Sequence, residues 1–87
     1  MYVIIVYDVE QGRVNKVCKF LRRYLNWVQN SVFEGEVSEG QFYKIKKGIA
    51  KLTDAKKDSV LLYRAISKKW LEKEVIGIEK NLTSNII

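Results

Sequence analysis

Short apolar runs alternate along the chain with longer stretches in which apolar residues recur every third or fourth position. Tyr2 to Tyr7 (YVIIVY) is a continuous β-branched and aromatic run, the pattern of a central strand buried on both faces. Gly12 breaks it. From Arg13 to Tyr24 the residues Val14, Val17, Cys18, Leu21 and Tyr24 or Leu25 fall at helical spacing, which predicts an amphipathic helix with its basic residues mostly on the opposite side. Trp27 to Val37 (WVQNSVFEGEV) is rich in β-formers and interrupted by Gln29-Asn30-Ser31, the mark of a hairpin or a bent pair of strands. Ser38 and Gln41 have capping-box spacing, so a second helix starts there. Its buried stripe is Phe42, Ile45, Ile49 and Leu52, and its wet side is Lys44, Lys46, Lys47 and Lys51. Thr53 to Asp58 reads as a polar loop, Ser59 to Ala65 as a fourth strand and Trp70 to Ile78 as a fifth.

The order β-α-β-β-α-β with one further strand is the ferredoxin-like α+β plan, an antiparallel sheet with two helices on one face. The other face then carries Tyr, Val and Phe side chains with no helix over them. A chain of 87 residues is a single domain, and at that size only about 60% of the unfolded surface becomes buried. A second copy packed on the bare face is the economical solution, so a two-fold homodimer is expected.

Composition narrows the chemistry. There is no histidine, which removes imidazole as base, nucleophile activator or metal ligand. The single cysteine, Cys18, excludes an intrachain disulfide and reads as core filler among Val14, Val17 and Leu21. The longest uncharged run, Met1 to Tyr7, is far short of the roughly 20 apolar residues of a membrane helix. An intracellular, cytoplasmic protein with no membrane role is expected. Net charge is +6, and between Glu10 and Glu34 lie Arg13, Lys16, Lys19, Arg22 and Arg23 without one acid. Such a run suits a polyanion, because phosphate contacts gain from counterion release; a merely solvated helix face is the alternative that charge alone leaves open.

Asp8, closing an otherwise uncharged strand, is the sharpest signal. A carboxylate there either caps the following turn or holds a divalent cation. Mg²⁺ takes one or two carboxylates and completes its octahedron with water and phosphate oxygens. If the first strands of two subunits end near a dimer axis, two Asp8 side chains face one metal position, and their mutual repulsion makes occupancy pH-dependent. The glycines form no phosphate-cradling loop. Glu34 and Glu36 share one face of a strand, which reads as edge-strand protection. Tyr43 and Trp27 read as core rather than as base-stacking platforms.

Three stretches together resemble a known family. The strand ending in YDV, the helix carrying RVNKVCKFL and the segment VQNSVFEGEV are similar to the CRISPR-associated endoribonuclease family, small partners of the CRISPR spacer integrase. DSVLLYR and the IG of VIGIEK fit as well, so the likeness spans nearly the whole chain. The residues that match are Tyr7, Asp8, Gln29, Ser31, Val32, Phe33 and Gly35. The resemblance implies a ferredoxin-like homodimer whose C-terminal segment, about residues 66–87, extends onto the partner. It also implies one Mg²⁺ per dimer, shared by the two Asp8 carboxylates. Two activities follow from it: Mg²⁺-dependent cleavage of RNA or DNA with Asp8 catalytic, or a non-catalytic bridge to the integrase in which Asp8 is structural. Duplex DNA is the first expected nucleic-acid partner and single-stranded RNA the second, bound through Arg13, Lys16, Lys19, Arg22 and Arg23. Trp27 stands where some relatives carry an arginine, and the arginines found early in the first helix of some relatives appear here as Arg13 and Lys16, so an arginine-assisted mechanism transfers poorly.

Overall fold

The computed structural model describes residues 1–67 and 70–79. Its elements are β1 (Tyr2–Asp8), α1 (Gln11–Leu21), β2 (Asn26–Gln29), β3 (Val32–Glu36), α2 (Glu39–Leu52), β4 (Ser59–Ser67) and β5 (Trp70–Gly77). They build one five-stranded sheet in the order β2-β3-β1-β4-β5, with every neighbouring pair antiparallel. This is the expected ferredoxin-like α+β arrangement. The β-branched run of β1 takes the middle position, where Val6 lies opposite both Val32 of β3 and Leu61 of β4.

Strand alternation sends Val3, Ile5 and Tyr7 to one side, with Phe33, Val60 and Leu62 beside them. Val17, Leu21, Phe42, Ile45 and Ile49 of the two helices close over that face and complete the core. Gly48 sets how near the helices come, since a Cβ there would lie 2.1 Å from the Phe20 ring. The capping box at the start of α2 forms as expected: the Gln41 amide donates to Ser38 Oγ at 3.1 Å and the Ser38 amide to Gln41 Oε1 at 2.9 Å. The opposite, helix-free face carries Tyr2, Ile4, Val6 and Asp8 of β1 beside Val32 and Glu34, with Ser59, Leu61 and Tyr63 across β4.

Four expectations change. Helix α1 starts at Gln11, so Gly12 sits inside its first turn rather than breaking the strand, and the helix ends at Leu21. Glu34 and Glu36 do not guard an edge, because β2 flanks β3; the Tyr2 hydroxyl donates to Glu34 instead. Trp27 and Tyr43 are exposed, at 54% and 58%, rather than in the core. Finally, β1 is fully buried only on its helix side, for Tyr2 on the other is 39% exposed. Residues 80–87, the end of the segment expected to reach a partner subunit, lie outside the described residues. Among the described residues no helix is long and apolar enough to cross a membrane.

Candidate metal and nucleic-acid site

Asp8 is the last residue of β1 and is exposed, on the helix-free face. The register places it directly opposite Ser59, the first residue of β4, a geometry that brings Cβ atoms to about 5 Å of each other. Ser59 is fully buried, and its Oγ has no hydrogen-bond partner. A hydroxyl left so costs about 1–3 kcal/mol. An exposed carboxylate offers oxygen ligation of the kind a hard cation accepts through one or two carboxylates plus water. Among the described residues no three His, Cys, Asp or Glu side chains gather to hold a metal. One such carboxylate is compatible with a Mg²⁺ position completed by water and other oxygens, and not with a closed protein cage.

Next along the chain from Ser59, the register partner of Asp8, is a residue whose role the sequence pattern does not show. Asp58, assigned to a polar loop, is only 1% exposed. Arg13 grips it through Nε to Oδ2 at 2.7 Å and Nη2 to Oδ1 at 2.8 Å. The backbone amides of Glu10 and Asp54 donate to the same carboxylate at 3.0 and 2.7 Å. Four donors, led by the Arg13 guanidinium and opposed only by burial, hold the Asp58 carboxyl well below the usual carboxylate range. Asp58 likewise pushes the Arg13 guanidinium above its ordinary value. The end of β5 seals the back: Ile78 N donates to Asp58 O at 2.9 Å, and Gly77, at φ +87°, passes so close that a Cβ would sit 2.2 Å from that oxygen. In the sequence Asp58 abuts a hydrophobic strand as Asp8 does, but nothing local points to Arg13 as its partner.

The five basic residues therefore do not act alike. Arg13 is committed to Asp58 and also lies 3.5 Å from Glu10. Lys16, Lys19, Arg22 and Arg23 have no carboxylate partner among the described residues. Three of them, Lys16, Lys19 and Arg23, line a groove of about 270 Å³ whose floor is Phe20 and Leu52, between α1 and α2. On α2, Lys46 is paired with Glu74 at 3.3 Å, so that helix adds fewer open cations than its composition suggests.

The hairpin motif has a structural part to play. Asn30 adopts φ 43°, and its carbonyl accepts from the Trp27 indole at 3.0 Å and from the Tyr7 hydroxyl at 3.4 Å. Ser31 O accepts the Tyr7 amide at 3.0 Å, and Phe33 is wholly buried. Tyr7 also meets Cys18 Sγ at 3.1 Å, and burial pushes its phenol up from the ordinary value. These contacts anchor the strand end from which Asp8 projects.

Fold and site together define a ferredoxin-like sheet protein with an acid at the end of its central strand and an uncompensated basic helix beside it. Comparison with known proteins carries this further. The family model of the CRISPR associated protein Cas2 matches residues 1–73. Proteins named CRISPR-associated endoribonuclease Cas2 are 54% identical over 87 residues in Thermococcus kodakarensis, covering all of both chains, and 53% identical in Methanocaldococcus jannaschii, covering all of this chain and 76% of that protein. A solved crystal structure of Cas2 superposes with a TM-score of 0.74 at 46% identity, covering 93% of this chain and 91% of that one. Streptococcus pyogenes Cas2 at pH 6.5 gives 0.69 at 34% identity, over 80% and 90%. The chain belongs to the Cas2 family of CRISPR-associated proteins.

Proposed function

We propose that this Cas2-family chain is a spacer-acquisition protein that binds duplex DNA along α1, bridges the CRISPR integrase and cleaves phosphodiesters with Mg²⁺ held by Asp8. The observation that carries the reading is the exposed Asp8 carboxylate at the end of the strand leading into α1, with Lys16, Lys19, Arg22 and Arg23, on that helix and just after it, lacking a carboxylate partner among the described residues. Lys16, Lys19 and Arg23 bind and orient a phosphate backbone across their groove. Asp8 supplies the oxygen ligand, and the fixed β1 end keeps that ligand in place. Bound Mg²⁺ supplies a water of lowered pKa and a charge beside the scissile phosphate.

The reading includes a homodimer. A second copy packed on the helix-free face of β1 and β4 brings a second Asp8 toward the first. The alternative, a scaffold without catalysis in which Asp8 is structural, is favoured by one fact: a single chain gathers no ligand cluster among its described residues. Incubating the purified protein with single-stranded RNA and with duplex DNA, with and without chelator, beside Asp8→Asn, separates the two. Chelator-sensitive cleavage lost in Asp8→Asn supports the enzyme; intact DNA binding with no cleavage in any sample leaves the scaffold.

A further inference from the structure

We propose that Asp58 is the positioning residue of the Asp8 site: its buried carboxylate, clamped by Arg13, locks the β1–α1 turn that presents Asp8. The inference rests on the reading of Asp8 as a cation ligand. Strand pairing holds β1 only as far as Asp8, whose register partner is Ser59. Beyond it the chain must cross to α1, and α1 lacks a side-chain cap, for Glu10 stands at its N-cap without bonding an amide.

Asp58 replaces that missing restraint from the far side of the sequence. One of its oxygens takes the Glu10 amide, two residues past Asp8, and both take the fork of Arg13 in the first turn of the helix. Its negative charge lies at the positive end of α1, where an N-terminal carboxylate is favourable. The same carboxylate orders its own loop through the Asp54 amide, while Gly77 and Ile78 fix its backbone carbonyl. Asp8 and Asp58 thus flank Ser59, one across the ladder and one along the chain. The two ends of the Asp8 position, strand pairing before it and the helix start after it, are both referred to Asp58-Ser59.

A bidentate guanidinium–carboxylate pair restricts orientation as well as distance, which a lysine ammonium does not. The lock is therefore geometric. A metal ligand that swings freely loses affinity for a cation needing near-octahedral coordination, even when the fold is intact. Ordinary structural support predicts a different result, namely a uniform loosening of the sheet.

The test measures amide hydrogen exchange and Mn²⁺ affinity, by paramagnetic resonance, in the full chain and in its Asp58→Asn and Arg13→Lys variants. Asp58→Asn is expected to speed exchange of the amides of residues 8–12 at least tenfold more than those of Ile5 and Ile49, and to weaken Mn²⁺ binding at least fivefold. Arg13→Lys, which keeps the charge and loses the fork, falls between the wild type and Asp58→Asn on both readouts and guards against a variant that does not fold. Exchange that rises equally in turn and core overturns the proposal, as does a loosened turn with unchanged Mn²⁺ affinity. If the wild type binds no Mn²⁺, the cation reading of Asp8 fails by itself, and the exchange pattern alone decides whether Asp58 locks the turn.

Discussion

Two regions of this chain carry charge, and they treat it in opposite ways. Around Asp58 every charge is matched: a buried carboxylate, one guanidinium and two amides meet at 2.7 to 3.0 Å. Along the middle and end of α1, Lys16, Lys19, Arg22 and Arg23 have no acid facing them among the described residues. Matched charge in a buried site fixes geometry, because removing either partner strands the other in a poor solvent. Unmatched surface charge of one sign adds little to the fold and leaves a positive potential facing solvent. Arg13 shows that one helix holds both kinds, its first turn belonging to the framework and its later residues to the open basic face.

The largest effect expected follows from breaking the matched region. Asp58→Ala leaves Arg13 without its partner and two amides without an acceptor, so stability falls by about 3–5 kcal/mol, read as a lower urea midpoint. Lys16→Gln or Arg23→Gln should leave that midpoint almost unmoved. Acid acts on the same pair more gently. The Arg13 guanidinium holds the Asp58 carboxyl well below the usual carboxylate range in the folded state, so its contribution is complete above the ordinary carboxylate pKa of about 4 and drains away as pH falls below it. Wild type should lose more stability between pH 5 and pH 3 than Asp58→Asn does; equal losses would show that other carboxylates carry the acid sensitivity.

How much of this was legible in sequence depends on the range of the interaction. The seven elements, the middle place of β1 and the cap at Ser38 follow from local periodicity and short motifs, and the structure has them. Asp8 stood out because a charge interrupts an apolar run. Asp58 did not, since its partner Arg13 lies 45 residues away and nothing in the spacing of either announces the pair. Counting Arg13 with the basic face was the corresponding error: helical periodicity fixes which side a residue faces, and the neighbouring loop decides what it meets there. Trp27 and Tyr43 were misassigned for a related reason, because apolar character does not distinguish a core position from an exposed one on an edge strand or a helix flank.

The unmatched region is broken more subtly. Replacing Lys16, Lys19 and Arg23 together by Gln should flatten the dependence of log Kd for duplex DNA on log salt, by about 0.9 for each cation that meets a phosphate. Fluorescence anisotropy at several salt concentrations measures the slope. The smallest change in slope is expected from Arg13→Gln, which should leave it within error of wild type while lowering the urea midpoint. A slope that drops as much for Arg13 as for Lys19 would erase the distinction between the two regions.

The central claim is that the cation site at Asp8 and the binding surface on α1 are separate. It is tested most directly by measuring, on one substrate and at one salt concentration, both Kd and the Mg²⁺-dependent cleavage rate of wild type and Asp8→Asn. The account predicts an unchanged Kd and a cleavage rate reduced to that seen with chelator. Cleavage that persists in Asp8→Asn, or binding that disappears with the carboxylate, would contradict it.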